Sequence, residues 1–376
     1  MKITTSGESH GKGLFAIIEG VPAGLKLDLE AINCALRLRQ SGYGRGARQT
    51  IERDEAEILT GVRDLVTLGS PITVAVWNRD YENWKACMAP EGCDTALRQL
   101  TKVRPGHADL VGMVKFGQQD ARNVLERASA RETAVRVAVG EICRQLLGAL
   151  GIEVAGYVKS VGEVEDEREY PFEALLARSE VLGMLGADLE ARAIEKIEAC
   201  RDRGDTLGGV CELRVRGLKS GFGSCMTYAE KLDARLAAAL MSVQAVKGVE
   251  VGLGFEAAKR LGSEVHDEIY YDNARGYFRK TNRAGGVEGG MSNGEELVFR
   301  AAMKPIPTLM RALNTVDTAT KKQATAAAER SDVCAIFACE RVLESAVCAE
   351  LASVVAERLG GDTLFEMQAR YRELPQ

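Results

Sequence analysis

The sequence predicts an α+β fold on three observations: four segments carry helical spacing, β-like apolar runs lie between them, and neither strict strand-helix-strand alternation nor an internal repeat occurs. The longest helical segment covers residues 125–150, with Ala134, Val137, Ala138, Ile142 and Leu146 at helical spacing and Gly151 at its end. Further helices are predicted over residues 187–200, 232–246 and 341–359, the last stopped by Gly360-Gly361. Strand-like runs occupy residues 14–18, closed by the turn chemistry of Val21-Pro22-Ala23-Gly24, and residues 210–215, 249–253 and 297–302. A shorter helical stretch at residues 31–38 dissolves into Ser41-Gly42-Tyr43-Gly44-Arg45-Gly46-Ala47-Arg48, which is too rich in glycine to hold regular structure.

With 376 residues and 46% hydrophobic content, the chain can bury a large core. Length alone suggests a domain for every ~150 residues. No linker, charge block or composition shift marks a boundary, so a single domain over residues 1–376 is expected. A net charge of -5 argues against a nucleic-acid partner, because counterion release needs a basic surface. Ten cysteines are scattered from Cys34 to Cys348 without a CxxC pair, which points to reduced thiols rather than zinc or redox chemistry. The opening MKITTSGESHG lacks the apolar stretch of a signal peptide, and no run reaches the ~18 apolar residues of a membrane span. A cytoplasmic protein without membrane or metal is the expectation.

Of three histidines, two sit in glycine-containing polar segments, Gly7-Glu8-Ser9-His10-Gly11 and Arg104-Pro105-Gly106-His107-Ala108-Asp109. An imidazole can transfer a proton in either direction near neutral pH, so these two are candidates for chemistry, while His266 reads as a surface residue. The first segment also fits the G-x-S-x-G elbow of serine esterases, but a strand-like run follows where a helix is needed. Arg37, Arg39, Arg45, Arg48 and Arg53 surround the glycine loop, and Arg104, Arg122, Arg127, Arg131 and Arg136 form a second group. In an acidic chain, two arginine groups in the regions of the two histidines point to a small ligand with several negative charges. Ser129, at the start of the long helical segment, is either an anion site or a plain helix cap. Gly252-Leu253-Gly254-Phe255-Glu256-Ala257 has dinucleotide-fingerprint spacing without the helix and buried strand it requires, and reads as a turn. Four glycines flank Val287-Glu288 in residues 285–294, a pattern suited to backbone wrapped around a flat or phosphorylated ligand.

Together these segments resemble the chorismate synthase family. The residue 7–11 and 104–109 segments, Ser129-Ala130-Arg131-Glu132-Thr133-Ala134, Gly204-Asp205-Thr206-Leu207-Gly208-Gly209, the 241–248 segment, the 285–294 loop, and Arg330-Ser331-Asp332 followed by Glu344 match its signatures in order. The resemblance implies long helices layered between antiparallel sheets, a homotetramer with sites near subunit contacts, and an anti 1,4-elimination of phosphate from 5-enolpyruvylshikimate 3-phosphate that needs reduced FMN. It implies that His10, with Ser9 as relay, protonates the departing phosphate, that His107 protonates the reduced flavin, and that Asp332 assists proton removal at the flavin N5. Ser129 joins this catalytic set. Arg39, Arg45, Arg48 and Arg131 match the substrate-anion ligands. Arg127, Ala128, Ser129, Gln244, Ala245, Gly289, Lys304, Pro305, Ile306, Pro307, Thr308 and Arg330 match the flavin-contacting positions. Gln40, Ser41, Gln244, Ile306, Ser331 and Val333 depart from the residues common there. No inserted reductase segment is visible, so an external flavin reductant is expected.

Overall fold

The computed structural model describes residues 1–46, 53–274, 276–311, 313–326 and 332–375. Arg48, Arg330 and Ser331 lie outside the described residues. The first antiparallel sheet has the order Lys2–Gly7, Gly13–Glu19, Ile72–Trp77, Ala56–Thr60. Its second strand is the apolar run at residues 14–18, and the pleat sorts it by face: Leu14, Ala16 and Ile18 are buried and Ile17 is exposed. The second sheet runs Val246–Val251, Leu297–Met303, Gly209–Arg216, Glu153–Val161, Val164–Glu165, again antiparallel throughout.

Between the sheets lies a layer of helices. Thr133–Gly148 packs on the first sheet and on Ile336–Leu359, which in turn packs on the second sheet. Ile336–Leu359 is buried on most of its circumference, so its apolar character all round follows from its place in the middle layer. The two helices cross closely: a Cβ at Gly140 would lie 2.3 Å from the Ser345 Cβ. Leu29–Gln40 and Leu232–Met241 complete the layer. This is the predicted α+β class in the layered form that the resemblance implied.

Three predicted boundaries change. The segment at 125–150 is two helices, Arg122–Ala128 and Thr133–Gly148, separated by the single turn Ala130–Glu132. Ser129 makes the break: its backbone is extended (φ -63°, ψ 142°) and its hydroxyl accepts from the Arg131 N–H at 3.2 Å, a local bond that competes with helix continuation. Leu232–Met241 stops short of residue 246: Ser242 caps its last turn, and Ala245 at φ 70° turns the chain so that Val246 enters a strand. The last long helix begins earlier, at Ile336. The ten cysteines are free, and among the described residues no helix is long and apolar enough to cross a membrane.

Candidate active site

The residue 7–11 segment is the turn between the first two strands, so no helix follows Ser9 and the esterase elbow is absent. This turn docks on helix Arg122–Ala128 chiefly through Glu126, with Arg127 also donating to the Gly7 carbonyl. The Ser9 N–H donates to the Glu126 carbonyl at 2.9 Å, the His10 N–H donates to Glu126 Oε2 at 2.9 Å, and His10 Nδ1 lies 3.0 and 2.9 Å from the two carboxylate oxygens. Arg122 Nη1 donates to Glu126 Oε1 at 2.8 Å from one helical turn away. Trp84 stacks on the imidazole with centroids 3.8 Å apart. Burial alone would push the Glu126 carboxyl up, but the hydrogen bond and charge of His10, with Arg122, hold it below the usual carboxylate range.

His107 is held in a similar way by a residue two positions on. Its Nδ1 lies 2.5 Å from Asp109 Oδ1, and Arg104 donates to Asp109 through Nε at 2.9 Å and Nη2 at 3.0 Å. Against the effect of burial, His107 and Arg104 keep Asp109 well below the usual range. The two supports meet directly. Helix Asp109–Phe116 packs on Arg122–Ala128, where a Cβ at Gly112 would fall 2.2 Å from Val124 Cγ1, and Val103, Met113, Ala121, Val124 and Leu125 form a small core of their own.

Of the arginines singled out in the sequence, Arg39 and Arg131 meet at a carboxylate that the motifs did not single out, whereas Arg37 pairs with Glu30 at the surface. Asp54 accepts from Arg131 Nη1 at 2.7 Å and lies 3.5 Å from Arg39 Nη1, so two buried guanidinium groups share one carboxylate. Arg39 also donates to Thr133 Oγ1 and the Ala130 carbonyl. Burial lowers Arg39 to about 10; Asp54 opposes this, and the nearby Arg131 and Arg45 charges add to it. Burial lowers Arg45 too, against the pull of Asp332, whose carboxylate lies 3.2 Å from Arg45 Nη1 and accepts from the Gly46 N–H at 2.6 Å. Asn78 ties this cluster to the His10 turn, accepting from Arg131 Nε at 2.9 Å and donating to the Glu8 and Gly11 carbonyls.

The residues matched to flavin contacts form a second chain of bonds. Arg127 donates to Thr5 and to the Gly7 carbonyl; Thr5 donates to Glu132, which also accepts from Gln244 Nε2 at 3.1 Å. Ala128 ends the helix that carries Arg127. The Ala245 carbonyl accepts from the Lys304 N–H at 2.9 Å, and Lys304 Nζ donates to the Gly106 carbonyl at 2.6 Å, next to His107. Thr206 holds the Ile306 carbonyl at 2.8 Å, a Cβ at Gly208 would fall 3.0 Å from the Pro305 nitrogen, and one at Gly106 would fall 3.4 Å from Pro307 Cβ. Thr308 is buried in the same stretch. Gly289 is not part of this network. Its hairpin bonds to the start of helix Leu232–Met241, through the Gly290 carbonyl and the Leu232 N–H, whereas Gln244 follows that helix's far end, roughly 15 Å away at 1.5 Å per residue. Most glycines of this loop have a structural cause: a Cβ at Gly285 would meet Gly252 N at 2.4 Å, and one at Gly286 would meet the Glu296 carbonyl at 2.4 Å. A Cβ at Gly289 would make an ordinary contact with Met291 Cε at 3.8 Å, and the residue is exposed.

Gln244 Oε1 and Arg45 Nε are buried without a hydrogen-bond partner among the described residues. Each such atom costs ~1–3 kcal/mol, and both stand at positions matched to flavin or substrate, so the residues present fit a polar ligand there. A cavity of ≈ 400 Å³ opens alongside, lined by Thr5, Glu132 and Arg136 but by neither imidazole. Sequence reasoning missed Glu126, Asp54, Asn78 and Trp84. Only Asp109 had a local signal, two residues from His107.

A family model described as chorismate synthase matches residues 1–356. The chorismate synthase of Geobacter sulfurreducens is 52% identical over 384 residues, covering 99% of this chain and 97% of that protein. That of Caldicellulosiruptor bescii is 49% identical over 380 residues, covering 100% and 99%. A crystal structure of chorismate synthase superposes with a TM-score of 0.80 at 40% identity, covering 99% of this chain and 96% of the other.

Proposed function

Because the chain belongs to the chorismate synthase family, we propose that it catalyses the anti 1,4-elimination of phosphate from 5-enolpyruvylshikimate 3-phosphate to give chorismate, with reduced FMN as the flavin. The observation that carries the site assignment is the pairing of His10 and His107 with buried carboxylates on two helices packed against each other, beside two buried arginines that share one aspartate. Reduced flavin, when bound, supplies electron density to the reacting allylic system. The protein does the rest by position and charge. Arg39 and Arg131 carry one more positive charge than Asp54 neutralises, and a buried excess of this kind favours a ligand with carboxylate and phosphate groups.

His10, with Ser9 beside it, donates a proton to the departing phosphate, and His107 donates one to the cofactor ring. Asp332 would assist removal of the substrate ring proton at the flavin N5; a substrate anion competing for Arg45 releases this carboxylate from its ion pair. Arg127, Ala128, Gln244, Ala245 and residues 304–308 hold the flavin, with Ser129 and Arg330 assigned to it on resemblance, as Arg48 is to the substrate anion. Gly289, exposed but a helix length from Gln244, belongs to a site completed across a subunit contact, and Leu110, Val111, Val114 and Phe116, exposed on the helix that follows His107, are apolar surface suited to such a contact. A cytoplasmic homotetramer fed by an external flavin reductant is the corresponding assembly.

Anaerobic incubation with the phosphorylated substrate and dithionite-reduced FMN should release phosphate in step with the diene absorbance of chorismate. Absence of both would overturn the assignment. NADPH with oxidised FMN should give no product; product formation there would reject the external reductant.

A further inference from the structure

We propose that Glu126 is the positioning residue for His10, selecting the imidazole tautomer in which Nδ1 carries the fixed proton and Nε2 alone exchanges protons with the ligand. The inference deepens the proposed function and rests on it for the role of His10. Four observations carry it. First, one carboxylate receives two groups of His10, the main-chain N–H at 2.9 Å and the ring Nδ1 at 2.9–3.0 Å, so both the backbone and the ring plane are set by Glu126. Second, the neighbouring Ser9 N–H is bonded to the Glu126 main chain, which fixes the turn to the helix independently of the side chain.

Third, the carboxylate is itself immobilised: its side chain is 2% exposed and Arg122 donates to it at 2.8 Å. Fourth, Trp84 covers one face of the imidazole, and Arg98 and Arg122 lie over the Trp84 ring at 3.9 and 4.9 Å, so the indole is itself held by cations. A ring with Nδ1 bound to a carboxylate acceptor and one face stacked has a single nitrogen left for chemistry. This is the division of labour by which a buried carboxylate orients a catalytic imidazole and stabilises its protonated form.

The same arrangement occurs a second time in the chain. His107 Nδ1 lies 2.5 Å from Asp109 Oδ1 and 3.1 Å from Arg104 Nη2, and Arg104 holds Asp109 as Arg122 holds Glu126. Two imidazoles in separate segments with the same support argue for a requirement of proton transfer rather than for a chance contact. The charged groups around His10 are Glu126 and Arg122 from the helix and, on the far side of Trp84, Arg98 and Asp80.

The test uses full-length protein labelled with ¹⁵N-histidine, in which only three imidazoles contribute to a solid-state spectrum, the His10 signals being assigned by their loss in His10→Gln. At alkaline pH the parent should show His10 protonated at Nδ1 and bare at Nε2. Glu126→Gln should lose this preference and lower kcat by ~10²-fold with KM within about twofold. Glu126→Asp should recover part of the rate. A parent spectrum showing the proton on Nε2, or a Glu126→Gln enzyme with parental kcat, would overturn the proposal. If Glu126→Gln does not fold, the parent spectrum decides alone. The spectrum is independent of turnover, so a parent that makes no chorismate would reject the proposed function while the pairing is still judged.

Discussion

At the scale of single residues, a carboxylate and an arginine stand behind each candidate imidazole, and the expected effects differ between the ring and its support. Removing either ring, in His10→Ala or His107→Ala, should lower turnover by roughly 10²-fold or more, measured as phosphate release under reducing conditions. Parental rates in both variants would remove the two histidines from the chemistry. Asp109 has a consequence for stability as well. Its carboxyl is held well below the usual range, so its contribution is present above the ordinary aspartate value near ~4 and is lost as pH falls from there towards the lower folded-state value. Asp109→Asn should therefore melt below the parent at neutral pH, with a deficit that shrinks as the solution is acidified. A deficit that grows in acid would contradict the ion-pair geometry.

At the scale of elements, the pairing of helices Asp109–Phe116 and Arg122–Ala128 links the two histidine supports. Their contact depends on a missing side chain. A methyl at Gly112 would overlap Val124, and only the Val124 side chain is in the way. Gly112→Ala should destabilise this pair by ~1–3 kcal/mol, as overpacking does, and lower activity. Val124→Ala added to it should restore much of both, because it removes the atoms that clash. A double variant no better than the single one would show that the helices do not meet at this point. Ser129 belongs to this scale too: by ending one helix and capping the next turn, it lets Arg131 reach Asp54 and Asn78 while Arg127 reaches the first strand.

At the scale of the molecule, the middle helical layer supplies rigidity and the sheet-to-helix junctions supply the site. Turns and helix ends from the first sheet bring His10 and Asn78, helix termini bring Arg39, Glu126 and Arg131, and the second sheet delivers Ala245 and Lys304 at its edge. The proposed assembly predicts a mass near four times 40.6 kDa by light scattering coupled to gel filtration. A monomer that is fully active would reject the completion of the site by a second chain.

The amino-acid order by itself determined the class of fold, the long helices, four of the strands and the chemical types in the site, because periodicity and glycine-rich turns are local properties; it gave no signal for Ala56–Thr60, Ile72–Trp77 or the nine-residue Glu153–Val161. His107, Asp109 and Arg104 were legible as a unit since six residues of chain hold them. Their counterpart was not: Glu126 meets His10 across 116 positions, and nothing in the spacing of either segment signals the other. Asp54, shared by two arginines, was hidden for the same reason. The helix ends at Ser129 and Ser242 were also decided only in three dimensions, where a side-chain bond and the turn leading through left-handed Ala245 into the next strand outweighed the continuing helical pattern. Only folding decides which carboxylate a buried cation meets, since that depends on long-range packing and not on local propensity.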